Sequence, residues 1–254
     1  MINLKGRVAL VTGSSRGIGS ACAVRLAEAG ADVVINYVTS RSAAEAVAEQ
    51  VRARGRRTAI VKADISEEED VMSMIDFIKN TFGALDIVIS NAASGGFRPL
   101  LATTARNFEA AMNTNVRALL FLIQAALPML ERSPNRAKVI ALSSPGSVRS
   151  LPMYGLIGST KAALESMIRH FALEIGNRGV NLNVVQAGLV ETDSIRQIPN
   201  FKEFVSSQGT KNMVKGRRLT VEDVADAVLY LASPLSDMIQ GQTLVIDGGA
   251  SIGI

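Results

Sequence analysis

The run Thr12-Gly13-Ser14-Ser15-Arg16-Gly17-Ile18-Gly19 spaces three glycines as Gly-x-x-x-Gly-x-Gly, directly after a β-branched run and at the opening of a helical one. A tight strand-to-helix turn needs residues free to take positive φ, and a backbone approaching a pyrophosphate has no room for a Cβ. The start of the helix adds free N–H groups and the positive end of its dipole. Gly13, Ser15, Arg16, Gly17, Ile18 and Gly19 therefore read as a cradle for a dinucleotide, against the plainer alternative of a turn that only reverses the chain. The second apolar run closes as Ile35-Asn36-Tyr37, with no carboxylate before Glu45. An acidic side chain there would bind a ribose diol and repel a 2′-phosphate. Asn36, at that strand end, is a candidate cofactor contact, and Arg16 in the turn and Arg41 beyond it could each pair with such a phosphate, so the expected cofactor is NADPH. For Arg41 the alternative is a solvated charge at a helix start.

A second group of residues could do chemistry. Tyr154-Gly-Leu-Ile-Gly-Ser-Thr-Lys161 sets a phenol seven residues before an ammonium. On a helix, residues seven apart differ by about 20° in azimuth and stand about 10 Å apart along the axis. Tyr154 and Lys161 would then share one face. Ser144, upstream, either lines the same site or is an ordinary loop residue. The single cysteine, Cys22, and single histidine, His170, argue against a disulfide framework and a His/Cys metal centre; no metal site is expected, and both read as structural.

The elements that must position these groups alternate. Apolar, β-branched runs at 7–11, 32–36, 58–62, 86–90, 138–142, 181–185 and 243–246 read as strands. Helical spacing fills 17–29, 42–54, 67–82, 104–132, 152–177 and 221–231. Such β/α alternation predicts an α/β fold: one Rossmann-like, doubly wound, seven-stranded parallel sheet with helices on both faces. No linker divides the 254 residues, so residues 1–254 form one domain, interrupted by an irregular excursion at about 188–218. Apolar residues are 48%, charged residues 20% and the net charge +4, which excludes global disorder. No apolar run reaches about 18 residues and no signal segment is read, so no membrane span is expected. No motif or aromatic–basic platform points to nucleic acid.

These residues carry a resemblance to the short-chain dehydrogenase/reductase family along essentially the whole chain. Residues 12–19 match its Thr-Gly-x-x-x-Gly-x-Gly turn. Asp64, followed by Ile65, matches the Asp that contacts adenine. The Asn-Asn-Ala-Gly stretch appears as Ser90-Asn91-Ala92-Ala93-Ser94, and the structural Asn of the following helix as Asn115. The Pro-Gly-x-x-x-Thr stretch appears as Ala187-Gly188-Leu189-Val190-Glu191-Thr192, with Ala for Pro. The resemblance implies that Asn91, Ala92, Gly188 and Lys161 help hold the cofactor, with Thr192 and the Val190 backbone on the nicotinamide carboxamide.

The catalytic stretch departs from the common member, which has Tyr four residues before Lys; that position is Ile157. The Tyr154-x6-Lys161 spacing resembles the enoyl-acyl carrier protein reductases, and the surrounding segments resemble their NADPH-dependent type III form. In a ketone the oxygen sits on the carbon that takes hydride. An enoyl thioester takes hydride at C3 while charge gathers on the remote thioester oxygen, so its stabilising hydroxyl must stand further from the nicotinamide. The resemblance thus implies NADPH-dependent reduction of trans-2-enoyl thioesters in fatty acid synthesis, carried on acyl carrier protein or CoA. Tyr154 would stabilise the enolate and Lys161 bind the nicotinamide ribose. Ser144 lies at the offset of the serine in the ketone-reducing members. A cytoplasmic homotetramer is the family expectation. Ile195, Ile198, Phe201, Phe204, Val205 and Met213 suit a lid over an acyl chain, and Met112, Met129, Met153 and Met167 either shape its pocket or fill the core. Arg196, Lys202, Lys211, Lys215, Arg217 and Arg218 suit a rim steering an acidic carrier, or are solubilising charges. Two alternatives remain: an NADP-dependent reductase of a ketone or other biosynthetic intermediate, and a non-catalytic nucleotide-binding protein.

Overall fold

A computed structural model describes residues 2–192, 212–214 and 217–252. The apolar runs form β1 (Val8–Val11), β2 (Asp32–Tyr37), β3 (Thr58–Lys62), β4 (Ile87–Ser90), β5 (Ala137–Ser143), β6 (Val180–Ala187) and β7 (Thr243–Ile246). They pair in parallel in the order β3-β2-β1-β4-β5-β6-β7. β1, β2, β4 and β5 lack regular polar alternation because helices cover both faces and every side chain in them is buried, whereas the edge strands β3 and β7 are only partly buried. One core lies beneath α1 (Gly17–Glu28), α2 (Arg41–Arg52) and α7 (Val221–Ala232). The other lies beneath α3 (Glu68–Phe82), α5 (Ala118–Leu130) and α6 (Gly155–Ile175). The chain is a Rossmann-like sheet of the expected doubly wound kind.

Register places the chemistry. Val11 stands beside Ile35 of β2 on one side and Ile89 of β4 on the other. The strand order reverses here, which opens a crevice at the carboxyl ends of the strands, and the glycine turn follows directly. Cys22 is buried in α1 and its thiol is pushed up to about 12 by desolvation. It serves as packing.

Two helix boundaries differ from the expectation in ways that matter. The segment expected as helix from 104 to 132 is α4 (Ala105–Met112), a π-helical stretch at Asn113–Arg117, and then α5. Together they make a continuous helix, Ala105–Leu130, long and apolar enough by composition to cross a membrane, although the sequence showed no such run. Its apolar residues Leu119, Leu122 and Ile123 are buried in the core, and it is a core helix of this fold. The helix expected from 152 begins only at Gly155. Met153 just before it has φ +62, the one positive value for a non-glycine among the described residues.

Candidate active site

The glycine cradle is tight for identifiable reasons. Gly13 and Gly17 have φ +61 and +59, in the left-handed region that side chains disfavour. A Cβ on Gly19 would stand 2.5 Å from Asn91 Nδ2 and 2.6 Å from the Gly13 carbonyl oxygen. A Cβ on Gly13 would stand 2.9 Å from Ala92 Cα. The turn therefore nests against the start of the loop after β4. Asn91 Nδ2 donates to the Thr12 and Gly13 carbonyls at 2.9 and 3.2 Å, and Thr12 Oγ1 accepts from the Asn91 and Ala92 amides, both at 3.0 Å. Thr192 closes over the turn, its Cγ2 lying 3.6 Å from where a Gly17 Cβ would be. Gly188 abuts Asp247 and donates to the Ile246 carbonyl at 2.8 Å, while Val190 buries its side chain in the core.

Asn36 was expected at the cofactor, but its fully buried amide faces into the frame. Its Oδ1 accepts from the Gly13 amide at 3.0 Å and its Nδ2 donates to the Ala63 carbonyl at 2.9 Å. The side chain holds the cradle from beneath, so its expected contact with a ligand is revised to a supporting one. Asp64 uses Oδ1 to accept from the Ser66 amide and hydroxyl, at 2.9 and 2.8 Å, and keeps partial exposure; Ile65 is buried. Ser15 borders the turn, and Ile18 is partly buried against the core. Arg16 and Arg41 are exposed at the ends of adjacent strands, and neither forms an ion pair among the described residues. The neighbouring basic run is spoken for. Arg52, Arg54 and Arg56 pair with Glu45, Glu28 and Asp32, and Arg57 stacks over Phe82.

The structure brings Tyr154 and Ser144 together: their hydroxyl oxygens are 2.8 Å apart. Tyr154 is not within the helix, as the azimuth argument assumed. It precedes α6 with φ −109 and ψ 2, and its carbonyl accepts from the Gly158 amide at 2.8 Å. The left-handed Met153 turns the chain just before it, and the Met153 carbonyl is held by the Arg98 amide at 2.8 Å. The phenol ring lies on Gly146, where a Cβ would meet its Cδ1 and Cε1 at 2.4 Å, and tilts against Phe97 at a centroid distance of 5.8 Å. Burial raises the phenol's pKa, with the Ser144 hydrogen bond opposing it, so the group is a neutral donor at neutral pH.

Lys161 sits below, fully inside the helix, and donates from Nζ to the Leu142 carbonyl at 2.7 Å. Desolvation lowers its pKa to about 8, and the nearby Glu165 charge works in the opposite direction. Asn115, in the π-helical stretch, accepts from the Ser94 amide at 2.7 Å and donates to Thr160 Oγ1 at 2.9 Å. It ties the loop after β4 to the helical turn next to Lys161; the extra residue of a π stretch often marks such a place. Ile157, at the position that carries Tyr in common members, packs as a buried alkyl group with its Cγ1 2.7 Å from where a Gly95 Cβ would be.

The arrangement is a glycine turn at the carboxyl end of β1, followed at the carboxyl end of β5 by a cation and a hydroxyl pair. The sequence model described as Enoyl-(Acyl carrier protein) reductase matches residues 13–251 of this chain. The chain is a short-chain dehydrogenase/reductase. It is similar to 1-cyclohexenylcarbonyl-CoA reductase of Streptomyces collinus, 35% identical over 97% of this chain and 87% of that protein. It is also similar to versicolorin reductase stcU of Emericella nidulans, 34% identical over 97% and 96%. Among solved structures, a short chain dehydrogenase from Burkholderia cenocepacia J2315 in complex with NADP superposes with a TM-score of 0.90. It is 34% identical and covers 98% of this chain and 99% of that one.

In this short-chain dehydrogenase/reductase, sequence reasoning missed the left-handed backbone of Met153, Phe97 as a wall, and the hydrogen-bonded link from buried Ser143, Glu165 and Gln186 to partly buried Ser147. Only Glu165 carried a signal, its i+4 spacing from Lys161. The expected lid residues Ile195, Ile198, Phe201, Phe204 and Val205, and rim residues Arg196, Lys202, Lys211 and Lys215, lie outside the described residues. Of the rest, Met213 lies half-exposed against Gly249, Arg217 pairs with Asp223, and Arg218 approaches Glu191 at 4.0 Å. Met129 is buried and Met167 packs on the core, so both fill space.

Proposed function

We propose that this reductase uses NADPH to reduce the C2–C3 double bond of a trans-2-enoyl thioester carried on acyl carrier protein or CoA. The observation that carries the proposal is the placement of the site's phenol. Position 157 holds a buried alkyl group, and the hydroxyl comes instead from Tyr154, just before the first turn of α6 and paired with Ser144 at 2.8 Å. That suits a substrate oxygen remote from the carbon being reduced. The name of the Streptomyces relative describes a substrate that is itself an α,β-unsaturated thioester, which supports the same chemistry. The fungal relative's name points to an intermediate of a specialised pathway, so fatty acid synthesis is one setting among biosynthetic ones.

The residues fit the dinucleotide: Gly13 and Gly17 supply the left-handed backbone of the turn that opens α1, and the exposed guanidinium groups of Arg16 and Arg41, without an ion pair among the described residues, suit a 2′-phosphate. Gly13, Ser15, Gly17, Ile18, Asn91, Ala92 and Thr192 would hold it, and the bound Burkholderia neighbour supports NADP. When bound, NADPH supplies the hydride. The protein's part is position and electrostatics. Tyr154 Oη donates a hydrogen bond to the thioester oxygen, where negative charge gathers as the double bond is reduced. Ser144 Oγ orients that phenol. Lys161 holds the ribose hydroxyls and, as a cation below about pH 8, favours the oxyanion. C2 takes its proton from Tyr154 or from water.

A second reading, reduction of the carbonyl of a biosynthetic intermediate, is favoured by the Ser144–Tyr154 pair and by the fungal relative. Side-by-side NADPH consumption with crotonyl and acetoacetyl thioesters separates the two. Turnover of crotonyl alone supports the proposal; turnover of acetoacetyl alone replaces it with the second reading.

A further inference from the structure

One buried carboxylate near the site has no role in the chemistry above. Glu165 is 6% exposed on α6, one helical turn after Lys161. An ionised carboxylate in such a place is costly unless donors surround it, and here they do. Its Oε1 accepts from the Ser143 hydroxyl and from Gln186 Nε2, the latter at 3.3 Å. Ser143 adjoins Leu142, whose carbonyl accepts from Lys161 at 2.7 Å, so two successive residues of β5 hold the cation and the anion. Gln186 Nε2 also donates to Ser147 Oγ at 3.0 Å. Ser147 ends the turn Pro145–Ser147, and Gly146 of that turn supports the Tyr154 ring. One side chain thus connects the lysine and the loop beneath the phenol.

We propose that Glu165 is a positioning residue: held by Ser143 and Gln186, its carboxylate stands one helical turn from Lys161 as the anion that supports the cation's role, and through Gln186 and Ser147 it fixes the turn under Tyr154. The proposal deepens the reductase reading and rests on it for the role of Lys161. Glu165 supplies the charge that bears on Lys161 among the described residues. On the elements packed against α6, Lys138 of β5 is committed to Asp237, Arg117 of the π-helical stretch donates to the Ser66 carbonyl, and Arg106 and Glu109 of α4 are exposed. Arg178, after α6, pairs with Glu131. Arg169, His170 and Glu174 lie further along α6 and are exposed; Tyr154 is neutral. Desolvation lowers the Lys161 pKa, and the Glu165 charge opposes that lowering.

The test needs no acyl substrate, so its failure is distinct from failure of the enoyl reading. The full-length protein is labelled with ¹³C at lysine Cε and glutamate Cδ and titrated by NMR, with Lys161→Met and Glu165→Gln assigning the two resonances. The wild-type Glu165 carboxyl is expected to be ionised at neutral pH. In Glu165→Gln, which keeps an acceptor for Ser143, the Lys161 midpoint is expected to fall by about one pH unit or more, the size of effect an adjacent opposite charge exerts. An unchanged midpoint overturns the proposal. So does a wild-type Glu165 that is protonated at neutral pH, a result that can be read even if Glu165→Gln fails to fold, because Glu165→Asp then makes the assignment.

Discussion

Replacing Tyr154 with Phe removes one oxygen and keeps the ring. The ring's seat on Gly146 and its contact with Phe97 are apolar and survive. What is lost is the 2.8 Å hydrogen bond to Ser144 and, in the proposed reaction, the donor to the substrate oxygen. Loss of one such donor costs about 10²–10³ in turnover, equivalent to roughly 3–4 kcal/mol of barrier. The ground-state consequence is far smaller: one partly buried hydroxyl pair is worth about 1 kcal/mol of stability. Nothing in the glycine cradle touches the phenol, so NADPH affinity should stay within about two-fold of wild type, because uniform binding is untouched. Steady-state NADPH oxidation with crotonyl thioester measures the first quantity, a fluorescence titration of NADPH the second, and thermal unfolding the third. Turnover within about ten-fold of wild type would refute the reasoning, because a barrier change of only about 1.4 kcal/mol is too small for an oxyanion donor.

Turnover should fall as pH rises through about 8, because Lys161 is a cation below its lowered pKa and neutral above it; a rate that climbs through that range in a pH profile would contradict the role. Gly19→Ala places a methyl 2.5 Å from Asn91 Nδ2 and 2.6 Å from the Gly13 carbonyl. It should cost about 1–3 kcal/mol of stability by overpacking and weaken NADPH binding, both readable from thermal shifts with and without cofactor. Arg41→Glu should raise the KM for NADPH by about ten-fold or more, the loss of one favourable charge contact, and leave that for NADH nearly unchanged; equal effects on both would remove Arg41 from 2′-phosphate recognition. Met153→Gly relieves a side chain held at φ +62, so stability should rise by about 1 kcal/mol, while loosening before Tyr154 should lower turnover.

The strands were legible because each is a short β-branched run bounded by turn residues, and burial on both faces leaves little room for polar positions. The glycine turn was legible for a similar reason: three glycines at that spacing have few other uses between a strand and a helix. Tyr154 and Lys161 could be found from their separation, but not their true relation. A single left-handed residue, Met153, ends the loop and leaves Tyr154 outside the helix, and methionine gives no hint of positive φ. Asn36 shows the opposite failure. It was a cofactor candidate at the end of the second strand, whereas the Gly13 amide and the Ala63 carbonyl claim its side-chain amide. The set around Glu165 draws Ser143, Gln186 and Ser147 from β5, β6 and the turn after β5. Only strand register brings such residues together, and a pattern read along the chain does not contain it.

A crystal structure of the protein with NADP and an acyl thioester tests the central claim most directly. The expected result is Tyr154 Oη within hydrogen-bond distance of the thioester oxygen, with C3 of the acyl chain facing the nicotinamide. A phenol turned away from the acyl group, with another donor on its carbonyl, would contradict the account.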